Sequence, residues 1–401
     1  MSASGLSRAR LARMHDIVRG YADSGEVPGI ATLVCRRDEL HVDTVGVQTL
    51  DRSDPIRRDT IFRIASMTKP ITAVAAMILL ERCKLRLDEP VDRLLPELAN
   101  RSVLKRIDGP LDDVVPAHRP LTVRDLLTFR MGFGMVMGPP NVYPIQKAVT
   151  DARISGLKPS PPHTPDEWIR RFGALPLMYQ PGERWMYHTG SDVLGVLIAR
   201  ASGKPFEAFL RETIFEPLGM KDTGFSVPAS KLDRLASCYQ VHPETRALEI
   251  YDRASDSSWA APPLFPAGGG GLVSTLDDYY AFGRMLLNGG RYGNERILSR
   301  ASVEAMTTDQ LSAQQKAAAI FLPGWWDIRG WGFGVSIVTR RDSIWTSPGQ
   351  FGWGGAFGTS WITDPREDLV AILMIQRMDF PPGPAGIHAD FLTCVYQALE
   401  D

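Results

Sequence analysis

The sequence predicts an α/β protein of the α+β type: an antiparallel sheet flanked by helices, with a large, mainly helical segment inserted between the two parts of the chain that build it. Three observations carry this expectation. Strand-like segments lie near both ends of the chain. Residues 71–80 are apolar on nearly every face, as a helix enclosed by protein must be. Residues 85–330 read as mostly helical, with proline and glycine punctuating the helical stretches.

Taken in order, residues 6–23 space their apolar positions as an amphipathic helix. Residues 29–37 and 39–46 form two strands around the charged turn Arg36-Arg37-Asp38. The buried helix follows from Ser66, and Pro70 fixes its start: proline lacks the N–H that an interior position must donate, so it belongs in the first turn. Further helices are expected near residues 122–129, 191–202, 205–215 and 275–288. Strand-like segments return at 331–340, 356–363 and 368–376, the last two joined by the turn Asp364-Pro365-Arg366-Glu367, and a terminal helix starts near 386. Residues 1–84 plus 331–401 are thus expected to supply the sheet and its helices, and 85–330 the insertion, within a single unit.

With 401 residues, 44% hydrophobic and 23% charged, the chain has the composition of an ordinary soluble globular protein, and no segment reaches the apolar length of a membrane helix. A net charge of −1 argues against a polyanionic partner, so neither nucleic acid nor membrane is expected. The polar stretch from Met1 to Arg10 lacks the apolar core of a secretion signal and reads as cytoplasmic. Cys35, Cys83, Cys238 and Cys394 lie far apart, which suits small buried apolar residues better than disulfides. The seven histidines show no metal-ligand spacing, so no metal and no cofactor is expected. The run Gly268-Gly269-Gly270-Gly271 lacks the ending of a phosphate loop and reads as permissive backbone ahead of a helix N-terminus at Thr275-Leu276-Asp277-Asp278.

Chemistry concentrates at Ser66-Met67-Thr68-Lys69. Positions three apart share a helix face, which sets a hydroxyl beside an amine. Two other Ser-x-x-Lys matches have no buried helix behind them: Ser102 to Lys105 sits among charged residues, and Ser155 to Lys158 runs into a proline cluster at 159–162. Ser66 instead lies at or next to an N-cap, where free N–H groups and the helix dipole favour negative charge on an attacking oxygen and on the oxyanion that follows. Burial moves Lys69 toward the neutral amine that a general base must be. A plainer alternative makes Ser66 an ordinary N-cap and Lys69 a first-turn surface lysine. No Gly-x-Ser-x-Gly elbow occurs, so a histidine-based α/β-hydrolase plan has no nucleophile.

Five blocks extend this reading: Phe62-Arg63-Ile64-Ala65-Ser66-Met67-Thr68-Lys69, Leu121-Thr122-Val123-Arg124-Asp125-Leu126-Leu127-Thr128, Pro181-Gly182-Glu183-Arg184-Trp185-Met186-Tyr187, Glu216-Pro217-Leu218-Gly219-Met220-Lys221-Asp222-Thr223 and Gly269-Gly270-Gly271-Leu272-Val273-Ser274-Thr275. In these, over most of its length, the chain resembles the serine β-lactamase, penicillin-binding protein and family VIII carboxylesterase superfamily. The family fold, a helical domain inserted into an antiparallel sheet flanked by helices, agrees with the outline above. The family's Tyr-x-Asn falls on Tyr187-His188-Thr189. The resemblance implies that Tyr187 shuttles a proton between Ser66, Lys69 and the leaving group, a role open to a phenol beside an ammonium. A packed core tyrosine is the alternative. Thr189 replaces the family's asparagine; it and His188 are carried as substrate-binding candidates, with a structural role for His188 as the plainer reading.

The family's Lys-Thr-Gly, on the edge strand lining the site, is replaced by Trp353-Gly354-Gly355, a form that resembles family VIII esterases. The physical difference is the loss of a cation: penicillins and peptide C-termini carry a carboxylate, a neutral ester does not. Trp353 offers an apolar wall, Gly354 and Gly355 allow close approach, and the resemblance implies that the Ala356 N–H joins the Ser66 N–H as oxyanion hole. Trp353 is equally a hydrophobic strand residue, and the glycines equally bend positions. Phe133, Trp185, Phe265, Trp325 and Trp326 are pocket-wall candidates with core packing as their alternative. The expected function is a serine acyl hydrolase, foremost a carboxylesterase cleaving small-molecule short-chain or aryl esters through a Ser66 acyl-enzyme, with lactams turned over slowly at best. A β-lactamase or D-Ala-D-Ala peptidase, an acyltransferase, and a non-catalytic binding protein on the same scaffold are the alternatives. The sequence carries no signal of oligomeric state.

Overall fold

Both ends of the chain meet in one seven-stranded sheet. The computed structural model describes residues 5–158, 160–319, 321–378 and 386–400. Met1 to Ser4 of the polar N-terminal stretch, Pro159 of the proline cluster, and 379–385 and 401 of the C-terminal part lie outside the described residues. The strands are β1 (Gly29–Arg36), β2 (Glu39–Gly46), β3 (Arg329–Trp331), β4 (Ser336–Val338), β5 (Phe351–Gly354), β6 (Ser360–Asp364) and β7 (Leu369–Met374). They run in the order β3-β4-β5-β6-β7-β1-β2 with every neighbour antiparallel. The helices that matter for the site and its support are α1 (Arg8–Asp23), α2 (Thr68–Glu81), α3 (Thr189–Ser202), α4 (Leu276–Leu287) and α5 (Gly386–Gln397).

Alternation along β1 serves two cores, because successive side chains point to opposite faces. Ile30 and Val34 join Leu11, Met14 and Val18 of α1 and Phe391 and Val395 of α5. Ala31, Leu33 and Cys35 turn the other way, into the larger core. There α4 packs on β6, β7 and β1, so a helix that the sequence reading places in the insertion rests on the sheet. All of α2 from Thr68 to Leu79 is buried, and it packs on α3. Groups in its first turn therefore open into the interior. Among the described residues, no helix is long and apolar enough to cross a membrane.

Several elements differ from expectation. The segment 331–340 resolves into the paired strands β3 and β4, turned by Gly334 at φ +75°. The strand expected at 356–363 begins only at Ser360, because Gly355 and Gly358 close a turn: the Gly355 N–H donates to Thr359 O at 2.7 Å, and Gly358 adopts φ +83°. Ala356 therefore lies in that turn. The strand carrying Trp353 and Gly354 is third in the sheet rather than at its edge. Its neighbour β4 pairs only with Phe351 and Gly352, however, so Trp353 and Gly354 are paired on one side alone, with β6. The insertion also holds strand pairs, Ser102–Leu104 with Val114–Pro116 and Cys238–Val241 with Leu248–Asp252. Cys35, Cys238 and Cys394 are buried as expected, whereas Cys83, just beyond α2, is exposed.

Candidate active site

The strand leading into Ser66 decides what surrounds it. Phe62–Arg63 pairs antiparallel with Val273–Ser274, and the Ile64 N–H donates to Leu272 O at 3.0 Å, which lays the glycine run along the first turn of α2. Thr72 Oγ1 donates to Gly268 O at 2.8 Å, and Thr68 Oγ1 accepts the Leu272 N–H at 3.2 Å. The run is permissive backbone in the sense of close approach, since a Cβ on Gly268 would overlap the Ser191 carbonyl. Sequence reasoning found that property and missed its place beside Lys69.

Ser66 sits in the short 3-10 turn Ala65–Met67 immediately before α2, next to the N-cap residue Met67. Ala65 is left-handed at φ +41°, and Tyr279 of α4 donates to Met67 O at 2.8 Å, tying the turn to the helix on the sheet. Lys69 is buried; its Nζ lies 2.9 Å from Ser66 Oγ and also donates to Gly269 O. The two competing lysines are engaged elsewhere: Lys105 pairs with Asp113 at 2.5 Å and Lys158 with Asp252 at 3.0 Å.

Tyr187 reaches the same place from the segment ahead of α3. Its hydroxyl faces Ser66, its ring centroid lies 4.6 Å from Lys69 Nζ, and its oxygen accepts the Trp353 indole N–H at 2.9 Å. Trp353 is therefore more than the apolar wall expected of it. Gly355 fits only without a side chain, because a Cβ there would overlap the Ile64 carbonyl and the Thr359 hydroxyl. That contact seats the Gly355–Thr359 turn against the residue two before Ser66. Among the described residues, no carbonyl accepts the Ala356 N–H.

His188 occupies the N-cap position of α3 and Thr189 its first turn; Thr189 makes no side-chain hydrogen bond among the described residues. One residue was missed by sequence reasoning. Asp192, buried in the first turn of α3, accepts the Gly269 N–H at 2.8 Å and stands 3.8 Å from His188 Nδ1. Its charge faces Lys69. Burial pushes Lys69 down from its ordinary value, against the pull of Asp192, and favours the neutral amine. Burial pushes Asp192 up, opposed by the Gly269 N–H and by Lys69. Burial also keeps Tyr187 a phenol, although the neighbouring Ser66 and the Trp353 N–H work against that rise. His188 is driven down by burial and then by the Lys69 charge, so it is a neutral imidazole.

The pocket-wall candidates divide. Trp185 stacks on Tyr187 at 5.6 Å and meets Trp326 edge-on at 5.1 Å, and Trp325 stands edge-on to Trp353 at 5.8 Å. Phe133 packs instead on Phe172 and Phe265 on Trp168, in the separate main core.

An antiparallel sheet flanked by helices, with an inserted segment bringing Tyr187 to a serine at the foot of a buried helix, is the β-lactamase-like arrangement. The chain belongs to the Beta-lactamase family, whose model matches residues 14–394. Protein Rv1367c of Mycobacterium tuberculosis (strain ATCC 25618 / H37Rv) is 38% identical over 368 residues, 90% of this chain and 88% of its own length. Esterase EstB of Burkholderia gladioli is 30% identical over 397 residues, 93% of this chain and 92% of its own. Among solved structures, EstCE1, described as a hydrolase with promiscuous acyltransferase activity, superposes with a TM-score of 0.78 over 97% of this chain and 99% of its own, at 23% identity.

Proposed function

We propose that this enzyme is a carboxylesterase that cleaves short-chain or aryl esters through a Ser66 acyl-enzyme. The observation that carries the proposal is the buried Lys69 amine 2.9 Å from Ser66 Oγ, in a site where the third-motif position holds an indole and no cation. Neutral Lys69, with Tyr187, takes the Ser66 proton as Oγ attacks the ester carbonyl. The oxyanion is received by the N–H groups of Ser66 and Ala356. The C–O bond to the alcohol then breaks, the proton taken from Ser66 leaves on that alcohol, and water releases the acid and restores the Ser66 hydroxyl. A lactam carboxylate finds no third-motif cation, which favours esters over lactams. Similarity to Esterase EstB supports the same choice.

The test pairs the protein and its Ser66→Ala variant on p-nitrophenyl butyrate and a chromogenic cephalosporin. Ester turnover is expected to fall by about 10³-fold or more in the variant, and the cephalosporin to be the slower substrate. Ester turnover that survives Ser66→Ala would remove the assigned nucleophile, and faster cephalosporin cleavage would make the enzyme a lactamase. Acyl transfer to an added alcohol is the second reading, favoured by the promiscuous acyltransferase activity stated for EstCE1. Its signature is a new ester among the products.

A further inference from the structure

We propose that Trp353 is a positioning residue that directs the Tyr187 hydroxyl proton to the leaving alcohol, because its indole N–H donates to the Tyr187 oxygen at 2.9 Å. The inference rests on the ester-hydrolase reading above and gives it a leaving-group dependence.

An indole nitrogen can only donate a hydrogen bond. At this contact the Tyr187 oxygen must therefore be the acceptor, and its own hydrogen must point elsewhere. Lys69 does not compete for the oxygen: its Nζ lies over the ring and donates to Ser66 Oγ and Gly269 O. The Tyr187 hydroxyl also faces Ser66. The phenol oxygen thus has a fixed donor on one side, which turns its own hydrogen away from Trp353, and Ser66 as a neighbour.

The donor is held rigidly. The Trp353 ring meets Trp331 edge-on at 4.7 Å and Trp325 edge-on at 5.8 Å, and its backbone is registered opposite Trp361. The use of its N–H is also particular to it. Within the same aromatic cluster, the indole nitrogens of Trp185, Trp325, Trp326 and Trp331 have no partner among the described residues. Among the described residues, the indole of this cluster that has a partner is Trp353, on Tyr187.

The chemical consequence appears when the tetrahedral intermediate collapses. The C–O bond to the alcohol breaks, its electrons go to the departing oxygen, and that oxygen takes the Tyr187 proton. The Lys69 ammonium, which holds the proton first taken from Ser66, turns from over the ring to the Tyr187 oxygen and restores the phenol, so no proton is gained or lost. An alkoxide needs this proton to leave, whereas p-nitrophenolate leaves without it. A residue that aims the proton matters for the first and hardly for the second.

The test measures kcat/KM, which reports the steps through acylation, on ethyl butyrate and p-nitrophenyl butyrate. The variants are Trp353→Phe, Tyr187→Phe, the double variant, and Trp331→Phe as a control for ring packing. Trp353→Phe is expected to lose about 10- to 100-fold on ethyl butyrate and less than about 3-fold on p-nitrophenyl butyrate. Added to Tyr187→Phe it should cost nothing further on ethyl butyrate. Trp331→Phe should treat the two esters alike. Equal losses on both esters in Trp353→Phe, or a further loss in the double variant, would reduce Trp353 to a packing residue. Unchanged ethyl butyrate hydrolysis in Tyr187→Phe would instead overturn the proton relay on which the inference stands. Should Trp353→Phe not fold, benzothienylalanine at position 353, which replaces the N–H by sulfur in the same shape, carries the same comparison.

Discussion

A buried amine and a buried carboxyl group facing one another influence each other's protonation, and Lys69 with Asp192 is such a pair. The other titratable groups around them are His188, neutral because burial and Lys69 push it down, and Tyr187, a phenol because burial pushes it up. Asp192→Asn removes the charge that raises Lys69, so the Lys69 pKa falls further. A base must be neutral to act, and activity rises as pH climbs through its titration. The acid limb of kcat/KM for p-nitrophenyl butyrate is therefore expected to move to lower pH in Asp192→Asn. A limb that stays in place or moves up would take Asp192 out of the pair. Ser66 and Lys69 were legible in the sequence because their relation is local, three residues on one helix face. Asp192 was not: its partner Gly269 lies 77 residues away, and an aspartate in a helix first turn reads as an ordinary dipole partner.

At the scale of elements, the turn after β5 decides how tightly the third motif sits on the turn that carries Ser66. A Cβ at Gly355 would overlap Ile64 and Thr359, whereas one at Gly354 meets nothing closer than 3.4 Å. Gly355→Ala is expected to cost about 1–3 kcal/mol of stability and to lower esterase activity with it, and Gly354→Ala to stay within about 0.5 kcal/mol. Denaturation midpoints check both; equal midpoints for the two would show that the turn can move aside freely. The same glycines explain why β5 was hard to see, since Gly352, Gly354, Gly355 and Gly358 leave no alternation to detect. β1, β2 and α2 were legible because their apolar patterns are long and uninterrupted. The helices Pro144–Ala152 and Pro165–Gly173 were missed although each opens on a proline in its first turn, the second with Thr164 as a capping residue. That is the start signal that identified α2.

For the molecule as a whole, one buried ionic network joins stretches that the fold brings from far apart in the chain. Arg63, three residues before Ser66, pairs with Asp252 at the end of the strand Leu248–Asp252, and neither side chain has any exposed surface. Arg63 also donates to Ala236 O at 2.6 Å, and its backbone N–H donates to Gln376 Oε1, beyond β7, at 3.1 Å. Lys158, rejected as a catalytic lysine from sequence, closes the network on Asp252. Burial by itself would raise the Asp252 carboxyl, but Arg63 and the Ser257 and Ser258 donors outweigh it and hold it at about 2. An unfolded aspartate titrates near about 3.9, so the folded state binds fewer protons. Stability from this group is complete above the unfolded value and is lost as pH falls through about 2. Asp252→Asn leaves Arg63 charged and dry without its counter-ion, and is expected to cost about 3–5 kcal/mol at neutral pH. Urea unfolding of the variant should also show a shallower loss of stability between about pH 4 and pH 2 than the parent, because the titrating group is gone. A variant as stable as the parent at pH 7, or one with the same acid slope, would mean that the carboxylate does not hold these segments together. Ser66 would then owe its position to the α2 packing and the Tyr279 bond alone.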